Sequence, residues 1–126
     1  MAKYIDGFVL PIPKDKINEY KKMAGLMAKL TKKYGALEYI EAVGEDMIPK
    51  GMGQMKFTKF PQMAKAKPGE TVVFSFIVYK SRKHRDQVNA KIMKDPVMQD
   101  PEWKDKPMPF DMKRMAYGGF KSIVEA

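Results

Sequence analysis

The sequence has no cysteine, a single histidine and a single tryptophan in 126 residues. Without thiols there is no disulfide framework, no thiolate nucleophile and no cysteine-held zinc or iron–sulfur cluster, a composition that suits a reducing compartment. With His84 as the lone imidazole and no tight acidic repeat, neither a metal nor any other cofactor is expected. Arginine is almost as scarce: of 24 basic residues only Arg82, Arg85 and Arg114 are arginine. Long hydrophobic runs are missing, and no apolar stretch approaches the roughly 20 residues that span a bilayer. Met1-Ala-Lys-Tyr leads straight into a strand candidate without a leader-like apolar core or cleavage pattern, so the expected location is the cytoplasm, with no membrane partner. A P-loop, a GxGxxG fingerprint and a GxSxG elbow are also absent.

What is present is enough for one core. Hydrophobic residues make up 44% of the chain, and its length fits a single domain spanning residues 1–126. The formal net charge of +9 attracts anionic ligands and polyanions without naming one. Because the lysines are scattered and not massed, a solvated lysine surface is the leading reading and nucleic-acid binding the alternative. That alternative predicts a continuous basic patch and steep salt dependence. The twelve methionines read as adaptable packing material.

Along the chain, Tyr4 to Ile12 reads as a strand, with Pro11 and Pro13 ending its ladder. Residues 14–34 read as a helix, since Ile17, Tyr20, Ala24, Met27, Leu30 and Tyr34 recur at spacings of three and four, and Gly35 is a natural stop. Ala36 to Val43 returns to a period of two, with Leu37, Tyr39 and Val43 on one side and Glu38 and Ile40 on the other. Between Gly44 and Gly69 the pattern dissolves into a methionine-, glycine- and proline-containing excursion, within which Met55 to Phe60 is a candidate for a short extra strand or turn. In so small a domain, such a loop reads as a flap or a dimer arm.

Glu70 to Lys80 carries the strongest strand pattern. Val72, Phe74, Phe76 and Val78 face one way and Val73, Ser75, Ile77 and Tyr79 the other, as in a central strand covered on both sides. Ser81 is an N-cap for a second helix, Arg82 to Lys94, which Asp95-Pro96 terminates. Residues 95–111 form a second irregular excursion. Lys113 to Val124 reads as the last strand, where Gly118-Gly119 marks a bulge or a close backbone approach.

The order βαββαβ is that of an α+β, ferredoxin-like fold with a four-stranded antiparallel sheet. Two helices cover one face of such a sheet. The other face would stay apolar and exposed, which a symmetric homodimer packing sheet against sheet resolves.

The segments YIDGFVLPIPK, GALEYIE, TVVFSFIVYKSRKHRDQVNAKIMKDP and MPFDMKRMAYGGFK together resemble the DUF1428 family, the YbaA-like proteins of bacteria, over essentially the whole chain. The matching positions are Asp6, Gly7, Tyr79, Ser81, His84, Arg85, Asp86, Asn89, Asp111, Arg114, Tyr117 and Gly119. The methionine-rich segment Met47 to Met55 looks longer than the family pattern. The resemblance implies a fold of the dimeric α/β-barrel superfamily, which includes cofactor-free monooxygenases. It supplies no catalytic residue, because the family has no assigned function.

His84 is the best catalytic candidate, being the one side chain that ordinarily titrates near neutrality. It would need an orienting carboxylate, for which Asp6, Asp86 and Asp111 are available, but a structural role is the stronger reading. The arginines suit ion pairs with Asp86 or Asp111, or an anion site at the start of the second helix. Asp6, a polar insertion in the first strand, would floor a pocket with Tyr79 or Tyr117 inside a dimer barrel, although backbone or cross-strand pairing is the stronger reading. Taken together, Asp6, Tyr79, His84, Arg114 and Tyr117 are the expected lining of a cavity that lies between sheet and helices or in the barrel and receives a small molecule or an anion. The rival reading is a cofactor-independent monooxygenase, which requires His84 beside a carboxylate in a deep pocket.

Overall fold

A computed structural model describes residues 2–50, 53 and 56–126. Strand β1 (Tyr4–Pro13) is followed by a turn of 3-10 helix and by helix α1 (Ile17–Lys33), then by β2 (Glu38–Val43), a short helix α2 (Phe60–Met63) and β3 (Glu70–Tyr79). Helix α3 (Arg82–Lys94), the short α4 (Pro101–Lys104) and β4 (Ala116–Lys121) complete the order. All pairings are antiparallel, in the spatial order β2-β3-β1-β4. Among the described residues no helix is long and apolar enough to cross a membrane.

The sheet is open, which corrects the dimeric α/β barrel implied by the family resemblance. Its edge strands, β2 and β4, lie on opposite sides of the β3-β1 centre. Closure into a barrel takes about eight tilted strands, and four strands twisting by about 20–25° each cannot curl back on themselves. The prolines of β1 also behave differently from expectation, because pairing with β3 continues through Pro13↔Glu70. The amide of Lys14 donates to the Gly69 carbonyl on the β3 side, so by alternation the nitrogens of Pro11 and Pro13 point the other way. There β1 has lost its neighbour, since β4 pairs no further than Val9, and no ladder bond is missed.

Helix α1 buries Tyr20, Ala24, Leu30 and Thr31. It stops at Gly35, whose φ of +114° few other residues adopt. In α3 the Ser81 side chain accepts from the His84 amide at 3.1 Å, and Val88 and Ile92 are buried. Two core clusters result. One joins Leu10, Ile12 and Val73 of the sheet to Tyr20 and Ala24 of α1. The other joins Ile77 and Tyr79 to Ala36 and to Val88 and Ile92 of α3.

The excursions go to opposite faces. In the first, Met47 and Phe60 lie over Ala42, Val72 and Phe74 on the side away from the helices. The extra strand considered at Met55 to Phe60 lies partly outside the described residues, as does part of Met47 to Met55; residues 56–59 are irregular and α2 begins at Phe60. In the second, residues 95–115 fold over the helix side. The last strand is shorter than expected, since a 3-10 turn at Met112–Arg114 precedes it.

Registers place Ile40–Phe76–Gly7–Gly118 and Ala42–Phe74–Val9–Ala116 in two rows across the face away from the helices, with Phe120 beside Ile5. These rows contain no charged residue in a chain that is 31% charged. Phe74 and Phe120 are 45% and 61% exposed.

Candidate functional site

Between the sheet and its two helices lies a cavity of about 520 Å³, bordered by members of both core clusters. Its floor follows from strand alternation. Registers align Tyr39–Ile77–Asp6 in one row and Glu41–Ser75–Phe8–Tyr117 in the next, all facing the helices. Met23 and Met27 of α1 and Ile92 of α3 form the walls, and Met98, Trp103 and Phe110 of the second excursion form the roof.

Two carboxylates stand on this floor, each held differently. Asp6 is 2% exposed and accepts from Arg85 Nη1 at 2.7 Å. The same nitrogen donates to the Tyr117 hydroxyl at 2.9 Å, and Arg85 Nε donates to Asp86 at 2.8 Å. The guanidinium lies 4.9 Å from the Tyr4 ring centre. A side chain on Gly119 would collide with the hydroxyl and ring of Tyr4, so this glycine makes room for the ring beneath Arg85. Burial pushes the Asp6 carboxyl above its ordinary value, against the opposing pull of Arg85 and Tyr117.

Glu41 is clasped by neutral donors. Tyr20 donates to Oε1 and Tyr39 to Oε2, both at 2.7 Å. Burial, reinforced by the hydrogen bonds and negative charge of Glu41, pushes both phenols well above their ordinary range, so they remain protonated donors. Tyr79, one helix-facing position beyond Ile77 on β3, is likewise raised by burial and then by Asp6.

The structure brings Asp6, Tyr79 and Tyr117 together at the cavity and places His84 and Arg114 elsewhere. Asp6 faces the helices and not the opposite side of the sheet, because its partner Arg85 projects from the first turn of α3. His84 Nδ1 accepts from the Lys80 amide at 3.0 Å, its ring meets Tyr79 edge-on, and neither contact involves a carboxylate. The arrangement required by the oxygenase analogy is therefore not assembled around it. Arg114 clamps Glu70 through two bonds, Nη1 at 2.6 Å and Nη2 at 2.8 Å, and also binds Asp111 and the Lys65 carbonyl. Its hydrogen bonds hold Glu70 at about 2, well below the ordinary carboxylate range.

That clamp fixes one end of the roof. The other end is fixed by Asp95, which accepts from the Tyr34 hydroxyl at 2.6 Å and the Val97 amide at 2.9 Å. Sequence reasoning missed Glu41, Tyr20 and Tyr39 as site residues. The available signal was Glu41 itself, an acid on the same alternating face as Tyr39 and Val43. Among the described residues, no three histidine or carboxylate groups converge as a metal site.

Strand order, crossover helices and a single helix-covered face define a ferredoxin-like α+β protein with a cavity beneath its helices. Residues 3–112 match the family described as "Protein of unknown function (DUF1428)", and the chain belongs to that family. It is 46% identical over 123 residues to the uncharacterized protein YbaA of Escherichia coli K12, covering 98% of both chains. The uncharacterized protein YbaA of Shigella flexneri matches to the same extent. Among solved structures, a dimeric ferredoxin-like protein from an uncultured marine organism superposes with a TM-score of 0.56 at 12% identity, over 100% of both chains. That likeness concerns the fold.

Proposed function

We propose that this protein is a homodimeric small-molecule binder whose ligand occupies the cavity between sheet and helices. The observation that carries this reading is the 520 Å³ space itself, with buried polar groups on one side and methionine and aromatic side chains on the others. Apolar walls with a few fixed polar groups are the usual make-up of a ligand site. Tight packing would have merged the two core clusters. Instead the roof, tied at Asp95 and Arg114, spans the gap between them.

The homodimer rests on the two uncharged rows of the opposite face, which Glu38 borders at the β2 edge. An apolar patch without charges is self-complementary under a two-fold axis, since no residue meets its own charge across the interface. The similar marine protein is described as dimeric, which supports the same assembly here. Native mass spectrometry of gently purified protein tests both parts. The expected spectrum is a dimer carrying a discrete added mass, lost on denaturation. Phe120→Glu, at a side chain 61% exposed in the single chain, should give a folded monomer. A wild-type monomer throughout the accessible concentration range would refute the assembly. A dimer that neither retains nor accepts any small molecule would refute the binding site.

A further inference from the structure

The charges around the cavity narrow the ligand class, taking the cavity as the binding site proposed above. The protein carries +9 overall, yet among the described residues no lysine, arginine or histidine lines this space, and the two charged residues that do are Asp6 and Glu41. The two are not equivalent. Asp6 already has its counter-charge in Arg85 at 2.7 Å. Glu41 makes no ion pair within 4 Å among the described residues and is met by two neutral phenols, one on each oxygen.

A carboxylate has about four acceptor positions, so two phenol donors leave Glu41 with capacity for a ligand donor. Sheet geometry separates Asp6 and Glu41 by roughly 10–12 Å. A cation at Glu41 is thus too far from Arg85 to be repelled strongly. Tyr20, Tyr39 and Trp103 present aromatic rings to the same space, and aromatic faces attract cations.

We propose that the cavity selects apolar molecules bearing a protonated amine, with Glu41 as the counter-ion and the methionine and aromatic walls holding the hydrocarbon part. An anionic ligand would meet an unpaired carboxylate and no lining base in this space, since Lys21 borders Glu41 only in the adjoining recess. A neutral one would leave the Glu41 charge unanswered.

Three probes matched in shape decide the matter: 2-(1-naphthyl)ethylamine, 2-(1-naphthyl)ethanol and 1-naphthylacetic acid. Each is titrated calorimetrically into the dimer at neutral pH. The amine is expected to bind at least tenfold more tightly than the alcohol, a difference of about 1.4 kcal/mol, and the acid not measurably. Glu41→Gln should remove most of the amine's advantage and leave the alcohol unchanged. Tyr39→Phe retains the charge and should preserve the preference, so it serves as the test if Glu41→Gln does not fold. Equal or tighter binding of the alcohol or acid would overturn the amine assignment while leaving the cavity as a site. Failure of all three to bind would overturn the assignment together with the binding-site reading on which it rests.

Discussion

Replacing Arg85 by methionine keeps an unbranched aliphatic side chain and removes the guanidinium from Asp6 and from the Tyr4 ring. The carboxylate left behind is 2% exposed, and its remaining protein neighbours cannot supply a full positive charge. Breaking a buried ion pair from one side typically costs about 3–5 kcal/mol, and the lost contact with the Tyr4 ring adds about 0.5–1 kcal/mol. The bond to Asp86, whose side chain is 60% exposed, adds little. Against a total stability on the order of 5–15 kcal/mol, the loss is large. It should also depend on pH in a definite direction. Asp6 is already held above its ordinary carboxyl value by burial, so its contribution is complete below the unfolded value and is lost as pH rises through the folded one. Without Arg85 the folded value rises further and the window extends upward. Urea unfolding followed by circular dichroism should show R85M close to wild type near pH 4, with the full deficit near pH 7.5. Adding Asp6→Asn should recover a substantial part at neutral pH. A deficit below about 1 kcal/mol, or one equal at both pH values, would refute a buried pair whose main cost is the stranded Asp6 charge.

Three other substitutions probe separate parts of the structure. Arg114→Met should lower stability at neutral pH by stranding Glu70, read as a lowered urea midpoint. Because Glu70 is depressed from 4.5 to about 2, its contribution is present above pH 4.5 and fades toward pH 2, so acid titration of R114M should be flatter across that interval. Amide exchange at residues 111–115 should accelerate in the same variant as the roof loses its anchor. Gly119→Ala should destabilise by about 1–3 kcal/mol by displacing Tyr4, read as a lowered Tm. Ser81→Ala should cost about 1 kcal/mol through the lost cap on α3, read by chemical denaturation with no change in dimerisation.

Much of the fold was legible because local patterns and packing agree. Alternation in Val72 to Tyr79 assigns both faces of β3 correctly, and Ser81 and Asp95-Pro96 bound α3 at the residues observed. That the sheet stays open was not legible from these residues, since alternation fixes which side chains share a face but says nothing about whether sheet edges meet. The site was partly legible. Asp6, Tyr79 and Tyr117 were conspicuous as polar groups in strands and do gather at the cavity, while His84 and Arg114 drew attention by rarity. Rarity does not determine direction: the first turn of α3 aims Arg85, and not His84, at the floor, and Arg114 meets Glu70 across a separation of 44 residues that no local pattern reveals. Glu41 was hidden because an acid in a strand reads as solvent-facing until a helix is seen to cover it.

The measurement that bears most directly on the cavity as a ligand site is methionine ε-methyl NMR of the protein titrated with the tightest-binding of the three naphthyl probes. The methyls of Met27, Met98 and Met115 border the cavity, whereas Met47 lies on the opposite side of the sheet. Saturable shifts at the first three with Met47 unmoved are the expected result; shifts at Met47 with those three unmoved would place the binding surface on the other side of the sheet and contradict the account.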